Sequence, residues 1–419
     1  MRGFQVALGL SCAAALACAC GKPGAANAGA GGAETSTAVG AAGDRGAGIG
    51  GRAVAGGGAI ASAAGAGGGG AGRAADDAGA GGALESPPAC AVLPDVVKPV
   101  FEQLGDLAPG VERPAGYETV PESLSFDGNA IAGASTTAGE NQHAYVWTHA
   151  AGMKDLKTDA NGLSDALFTN CDGSVVIATD EQGEAFRLAV GQPPLKLLPG
   201  TAGGAEIWIR ASDASGQVVV GVTGGEADAS AERWVGSSAK GIPLGVHGYA
   251  TDVSADGSVI VGVRYVGAQV ASVFRWTAAA GAVDLAPATD RLAHVSADGT
   301  SVLALHPNGL PFRWRQQGVT ELPCGQGRSA CTPDLINQDG SVIVLSGPAP
   351  DYETLVWSEA NGTVAFNAAV KAAGTSLGAW TSLNIVDMSA DARVFTGIAF
   401  GPDDSTTATY RLQVPAGTF

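Results

Sequence analysis

Val253-Ser254-Ala255-Asp256-Gly257-Ser258-Val259-Ile260-Val261-Gly262, with Val273-Phe274-Arg275-Trp276 a short way on, is the clearest copy of a phrase this chain repeats seven times. A small residue precedes Asp-Gly, a β-branched run follows, and an aromatic segment closes the phrase before the next turn. The turn positions are Asp127, Asp172, Ser215, Asp256, Asp298, Asp339 and Asp391, spaced by 45, 43, 41, 42, 41 and 52 residues. Asp-Gly between two β-rich runs is a hairpin signal, because Gly accepts the positive φ of a tight reversal and Asp caps it. A period of about 40–45 residues in an all-β chain is that of a radial array with one blade per repeat. The spacing predicts a seven-bladed β-propeller of four-stranded blades.

Within each repeat the first strand ends just before the turn, and the second is the β-branched run, such as Val218-Val219-Val220 or Val342-Ile343-Val344. Its continuous apolarity suits a position covered on both faces. The third carries an aromatic (Tyr145, Phe186, Trp234, Phe274, Phe312, Trp357 or Tyr410) that packs between blades. A short apolar fourth strand follows, as at Met153–Leu156 or Val319–Leu322. The seventh repeat runs out after Leu412, whereas Val100–Pro109 reads like an unattached fourth strand. A ring must seal or leave an open edge, so this N-terminal strand is expected to close the last blade. Val364–Ala373 reads as one short helix in the insert that lengthens the final spacing.

His143-Ala144-Tyr145-Val146-Trp147, then Gly152-Met153-Lys154-Asp155-Leu156, with Ser-Ala-Asp-Gly turns elsewhere, resembles the bacterial extracellular HAF repeat. The resemblance covers about Phe101 to Val414. Only the first copy keeps His-Ala, and Ser215-Gly216 and Asp391-Ala392 depart from Asp-Gly. The resemblance implies a β-propeller and an exported location, and no particular reaction.

The chain divides into 1–19, 20–87 and 88–419. The first part has a positive Arg2 and an apolar stretch from Val6 to Ala17, a signal-peptide pattern too short to span a bilayer. Small residues then lead to Cys18 and Cys20. This resembles the lipobox of bacterial lipoproteins, with either cysteine as the lipidated residue; plain Ala-x-Ala cleavage without lipid is the alternative. The Gly/Ala-rich 20–87 cannot bury enough apolar surface to fold, so it reads as a disordered tether. Its glycine clusters are not phosphate loops, since no strand precedes them and no Lys-Ser/Thr follows. The expected setting is the bacterial cell envelope, with the membrane as partner through the lipid anchor, or secretion if no lipid is added.

Four cysteines remain beyond the signal, as export favours. Cys324 and Cys331 bracket a Gly-rich loop and are expected to pair, leaving Cys90 with Cys171. No metal ligand set and no cofactor motif is visible. The net charge of −17, with only 23 Lys and Arg, excludes a nucleic-acid partner and reads as a solubility feature. No catalytic set stands out. His247, His294 and Asp252 lie near first strands and are candidate ligand contacts, with side chains expected toward a central channel. Asp213, Asp334 and Asp387 occupy similar places. Tyr352 and Trp380 are candidate contacts on loops, as are Asp351 and the Pro402–Asp404 loop. The expected role is a binding or scaffolding module for an extracellular protein or glycan. The alternative is an envelope hydrolase or lyase with its site in the channel.

Overall fold

The structure is a computed structural model. It describes residues 93–107, 119–137, 142–157, 162–200, 206–225, 227–267, 269–288, 292–325, 327–348, 352–402 and 406–419. Cys18, Cys20, Cys90, Asp351, Asp403, Asp404 and the whole of the tether lie outside the described residues.

The described chain is almost wholly β. Its first strands are β1 (Val100–Gln103), β2 (Val120–Leu124), β3 (Ala130–Thr136), β4 (Gln142–Thr148) and β5 (Gly152–Asp155). Then come β6 (Leu163–Thr169), β7 (Val175–Asp180), β8 (Ala185–Ala189), β9 (Leu195–Lys196), β10 (Ile207–Ser212), β11 (Val218–Thr223) and β12 (Ser230–Val235). The middle holds β13 (Ile242–Val253), β14 (Val259–Val266), β15 (Gln269–Thr277), β16 (Gly281–Pro287), β17 (Ala293–Val295), β18 (Val302–Leu305), β19 (Pro311–Arg315) and β20 (Gly318–Glu321). The last are β21 (Thr332–Ile336), β22 (Val342–Ser346), β23 (Thr354–Ser358), β24 (Gly362–Ala365), β25 (Ser382–Met388), β26 (Val394–Phe400) and β27 (Thr407–Gln413). One helix, α1 (Phe366–Ala372), sits in the long insert and buries Phe366 and Val370.

Five antiparallel sheets have four strands each: β2–β5, β6–β9, β17–β20, β21–β24, and β25–β27 with β1. A sixth has seven, β10 to β16, where two separate sheets were expected. The reason is β13. No Pro or Asp-Gly interrupts Leu244–Tyr249, so the outer strand of one repeat runs straight on as the inner strand of the next. β1 pairs with β27, setting Phe101 opposite Leu412 and stacking its ring 5.6 Å from Tyr410.

Side-chain chemistry explains why the turn phrase recurs. In all seven repeats the residue three before the turn Gly (Ala392 in the last) accepts the amide five residues beyond itself. Ser125, Asn170, Asp213, Ser254, Ser296, Asn337 and Ser389 do this at 2.9–3.0 Å. The two divergent turns thus keep the geometry, Asp213 replacing the serine in one and Ala392 taking a φ of 55° in the other. Ser254→Ala should therefore leave the buried Val259 amide unpaired and lower stability by about 1–2 kcal/mol, read from the urea midpoint.

Neighbouring repeats are joined in two ways. The aromatics of third strands pack on the preceding repeat: Phe274 meets Val218 and Val220, Phe312 meets Val259 and Val261, and Tyr410 joins a cluster with Val342 and Val344. Burying each such ring contributes about 2–3 kcal/mol. Polar staples cross the same seams. Arg187, Arg275, Arg313 and Arg411 donate to the carbonyls of Gln217, Gly299, Gly340 and Gly128 at the next turn. Arg233 lies over Trp276 at 4.5 Å. A line of backbone bonds runs Ala214 to Ala255 to Ala297, then Asp298 to Gln338 to Ala390 to Phe126.

Candidate functional site

One cavity of about 280 Å³ is lined by residues from the first strand of every repeat: β2, β6, β10, β13, β17, β21 and β25. The strands present their side chains irregularly because six of the seven carry a β-bulge at the same place. Glu122, Leu167, Arg210, Thr251, Asp334 and Val386, each six residues before the turn Gly or Ala392, are the residues the strand register skips. A bulge breaks the two-residue alternation and re-aims a side chain. The extra residue accordingly puts Glu122, Arg210 and Asp334 on the cavity wall.

The acids of this region fall into two kinds. Asp252 and Asp387 occupy the same repeat position and do the same thing. One oxygen of each accepts the amide of the following residue, Val253 or Met388, at 2.7 Å. The other reaches the next repeat: Asp252 to Val295 N at 2.9 Å, Asp387 to Leu124 N at 2.7 Å. Burial pushes both carboxyls up to about 7, partly opposed by these amides. Asp213 caps its turn, and Asp334 accepts from the Ser346 hydroxyl at 2.6 Å. These four are occupied in holding backbone and strands.

Glu122 and Asp165 are the second kind. Burial, reinforced by the Asp165 charge, drives the Glu122 carboxyl up to about 8, and burial raises Asp165 to about 6. Oδ1 of Asp165 is buried without a hydrogen-bond partner. Two further oxygens nearby are also buried and unpartnered: the hydroxyl of Ser123, 4% exposed in the cavity wall, and that of the fully buried Tyr145. The Tyr145 ring lies against Gly133, where an added Cβ would come within 3.0 Å of both Tyr145 and Pro121. Such a group of unsatisfied buried oxygens calls for an explanation beyond packing.

The residues named from sequence are only partly brought together. His294 and Asp252 share the cavity wall, with Nδ1 3.9 Å from Oδ2. Burial pushes the imidazole down to about 4, so it is neutral at physiological pH, and its Nε2 is buried without a partner. His247 does not line the cavity. It sits where β13 still pairs with β12, opposite Ser230, and its ring meets Tyr265 edge-on at 6.0 Å. Tyr352 is 45% exposed with a φ of 41°, and Trp380 packs on the C-terminal core beside α1. Neither lines the cavity. Cys324 and Cys331 are bonded (S–S 2.07 Å), and Cys171 is also in a disulfide. Glu122 and Asp165 went unnoticed in sequence. The available signal was two acids within otherwise apolar first strands, away from any turn.

Chemically the cavity can hold a small polar or cationic group against Glu122, whose carboxyl also feels the nearby charge of Asp165. Among the described residues no three His, Cys, Asp or Glu are grouped to hold a metal ion.

No family profile and no curated protein matches this sequence. Solved structures do match in shape. An oligogalacturonate lyase in complex with manganese has a TM-score of 0.51 at 11% identity, covering 77% of this chain and 98% of that one. An oligogalacturonate lyase from Vibrio parahaemolyticus gives 0.49 at 10% over the same shares. A putative TolB from Agrobacterium tumefaciens gives 0.39 at 13%, over 51% of this chain and 83% of that one. The first of these likenesses, together with the four-stranded antiparallel sheets, shows an all-β, propeller-like fold.

Proposed function

We propose that this chain is an exported, lipid-anchored, seven-bladed β-propeller whose N-terminal strand completes the last blade. It acts at the bacterial cell envelope as a binding or scaffolding module for an extracellular protein or glycan. The seven turn phrases, the cavity shared by seven first strands and the β1–β27 pairing support the ring. The signal-like start with Cys18 and Cys20 supports the anchor. The observation that carries the binding role is the division of labour among the acids. Asp213, Asp252, Asp334 and Asp387 hold the scaffold, leaving a walled cavity whose unengaged groups can meet a ligand. The full chain screened on glycan arrays should retain one glycan class, and retention of none overturns the glycan reading. Replacing Cys18 and Cys20 together with Ser should abolish acyl labelling; unchanged labelling removes the anchor.

A second reading, hydrolase or lyase, is favoured by Glu122 and Asp165, a carboxyl pair whose raised values suit acid–base work. It predicts turnover of some polysaccharide in a panel assayed for new reducing ends and unsaturated products, lost in Glu122→Gln. Absence of turnover across the panel leaves binding as the activity.

A further inference from the structure

We propose that the ligand of the central cavity is a small organic cation, a primary ammonium on a short carbon body, received by Glu122 in the cavity wall, with the buried Asp165 close by. This rests on the cavity being the binding site. Five carboxyl groups stand in its wall (Glu122, Asp213, Asp252, Asp334 and Asp387) against one guanidinium, Arg210. A cation arriving in this low-dielectric wall favours the ionised form of Glu122 over the protonated one that burial holds. Four of the five are already hydrogen-bonded within the fold. Glu122 is the wall carboxyl where a new donor can bond without displacing an old one; Asp165 acts on it through its charge and is not itself a wall residue.

A second observation is independent of charge. The Ser123 hydroxyl, in the same wall and 4% exposed, has no partner. A buried hydroxyl left open beside a carboxyl is what an ammonium group, with three donors, needs to share its remaining hydrogens. A divalent metal is the poorer fit, because the described residues offer no grouping of three ligating acids or imidazoles. The size is also limiting. At about 280 Å³ the space lies at the small end of ligand sites, and apolar side chains such as Phe126, Leu167 and Ile385 line the remainder.

Calorimetric titration of the full chain tests this with 1,5-diaminopentane and glucosamine. Their neutral counterparts, 1,5-pentanediol and N-acetylglucosamine, and Ca²⁺ and Mn²⁺ serve as comparisons. At least one amine should bind, and its neutral counterpart should not. Glu122→Gln and Asp165→Asn should each weaken the amine about tenfold or more, equivalent to about 1.4 kcal/mol. Asp284→Asn, which removes an exposed charge on β16 paired with Arg264, should leave affinity unchanged. Neither the Glu122 nor the Asp165 variant loses a hydrogen bond recorded in the fold, and a thermal melt of each verifies folding. Equal binding of the neutral counterparts, binding of the metals alone, no amine binding, or amine binding indifferent to Glu122→Gln overturns the inference. If a glycan is still retained in those cases, the binding role stands and only the cationic ligand falls.

Discussion

Raising the pH from 6.5 to 8.5 should destabilise the folded chain by about 3–4 kcal/mol, and Glu122→Gln should remove about half of that loss. The folded carboxyls of Glu122, Asp252 and Asp387 hold their protons up to about 8, 7 and 7, far above the unfolded values. Their contribution is complete below the unfolded values and disappears as the pH rises through the folded ones. His294, pushed down to about 4, acts in the opposite sense, but only below its ordinary value near 6.5. The alkaline window therefore reports the acids alone. Asp252 and Asp387 keep their amide donors when ionised, whereas no hydrogen bond offsets ionisation of Glu122. Between pH 6.5 and 8.5 the Glu122→Gln protein should gain about 2 kcal/mol on the parent in urea unfolding. A flat profile across this window would show that the cavity is wet enough to leave its acids unperturbed. A gain in stability from removing a side chain is the mark of a group retained for something other than folding.

Gly262→Ala should cost about 3 kcal/mol or more, the largest loss expected from adding one methyl group. Gly262 lies in β14 opposite Ala250, beside the bulge at Thr251. The bulge draws the first strand inward, so a Cβ on Gly262 would stand 1.9 Å from the Tyr249 carbonyl oxygen and 2.9 Å from both Ala250 Cα and a ring carbon of Phe274. Two of those atoms are backbone and cannot swing aside. Gly221 and Gly397 face the same obstruction in their own repeats. An unchanged melting temperature in Gly262→Ala would mean that the bulges are not rigid, and the placement of Glu122 on the cavity wall would weaken with them.

The four-stranded units were legible because each rests on local chemistry. A side-chain acceptor three residues before a positive-φ glycine writes the turn into six adjacent letters, as in Ser254–Val259. The helix at Phe366–Ala372 was legible for the same reason. Orientation on the first strands was not. Alternation assigns faces only while pairing is regular, and the bulges at Glu122, Arg210 and Asp334 leave no mark in composition. The double role of β13 hid His247 likewise: only four residues lie between it and Asp252, yet the two belong to different pairings. Asp252 and Asp387 looked like channel acids, and they do line the cavity. That each bonds a backbone amide of the adjoining repeat could be learned only from neighbours distant in sequence.

The bond between β1 and β27 also sets an order of events. Val100–Gln103 emerges from the ribosome early, yet the strand it joins is made roughly three hundred residues later, so this pairing is among the most non-local and slowest contacts a chain of this size can form. Until Thr407–Gln413 arrives, the early strand has no mate and the final sheet has a bare flank open to a stranger's backbone. A protein delivered across a membrane from its N-terminus would spend its whole passage in that unfinished state. Assembly would wait for the tail, and a chain cut short by even one strand would be left permanently adhesive.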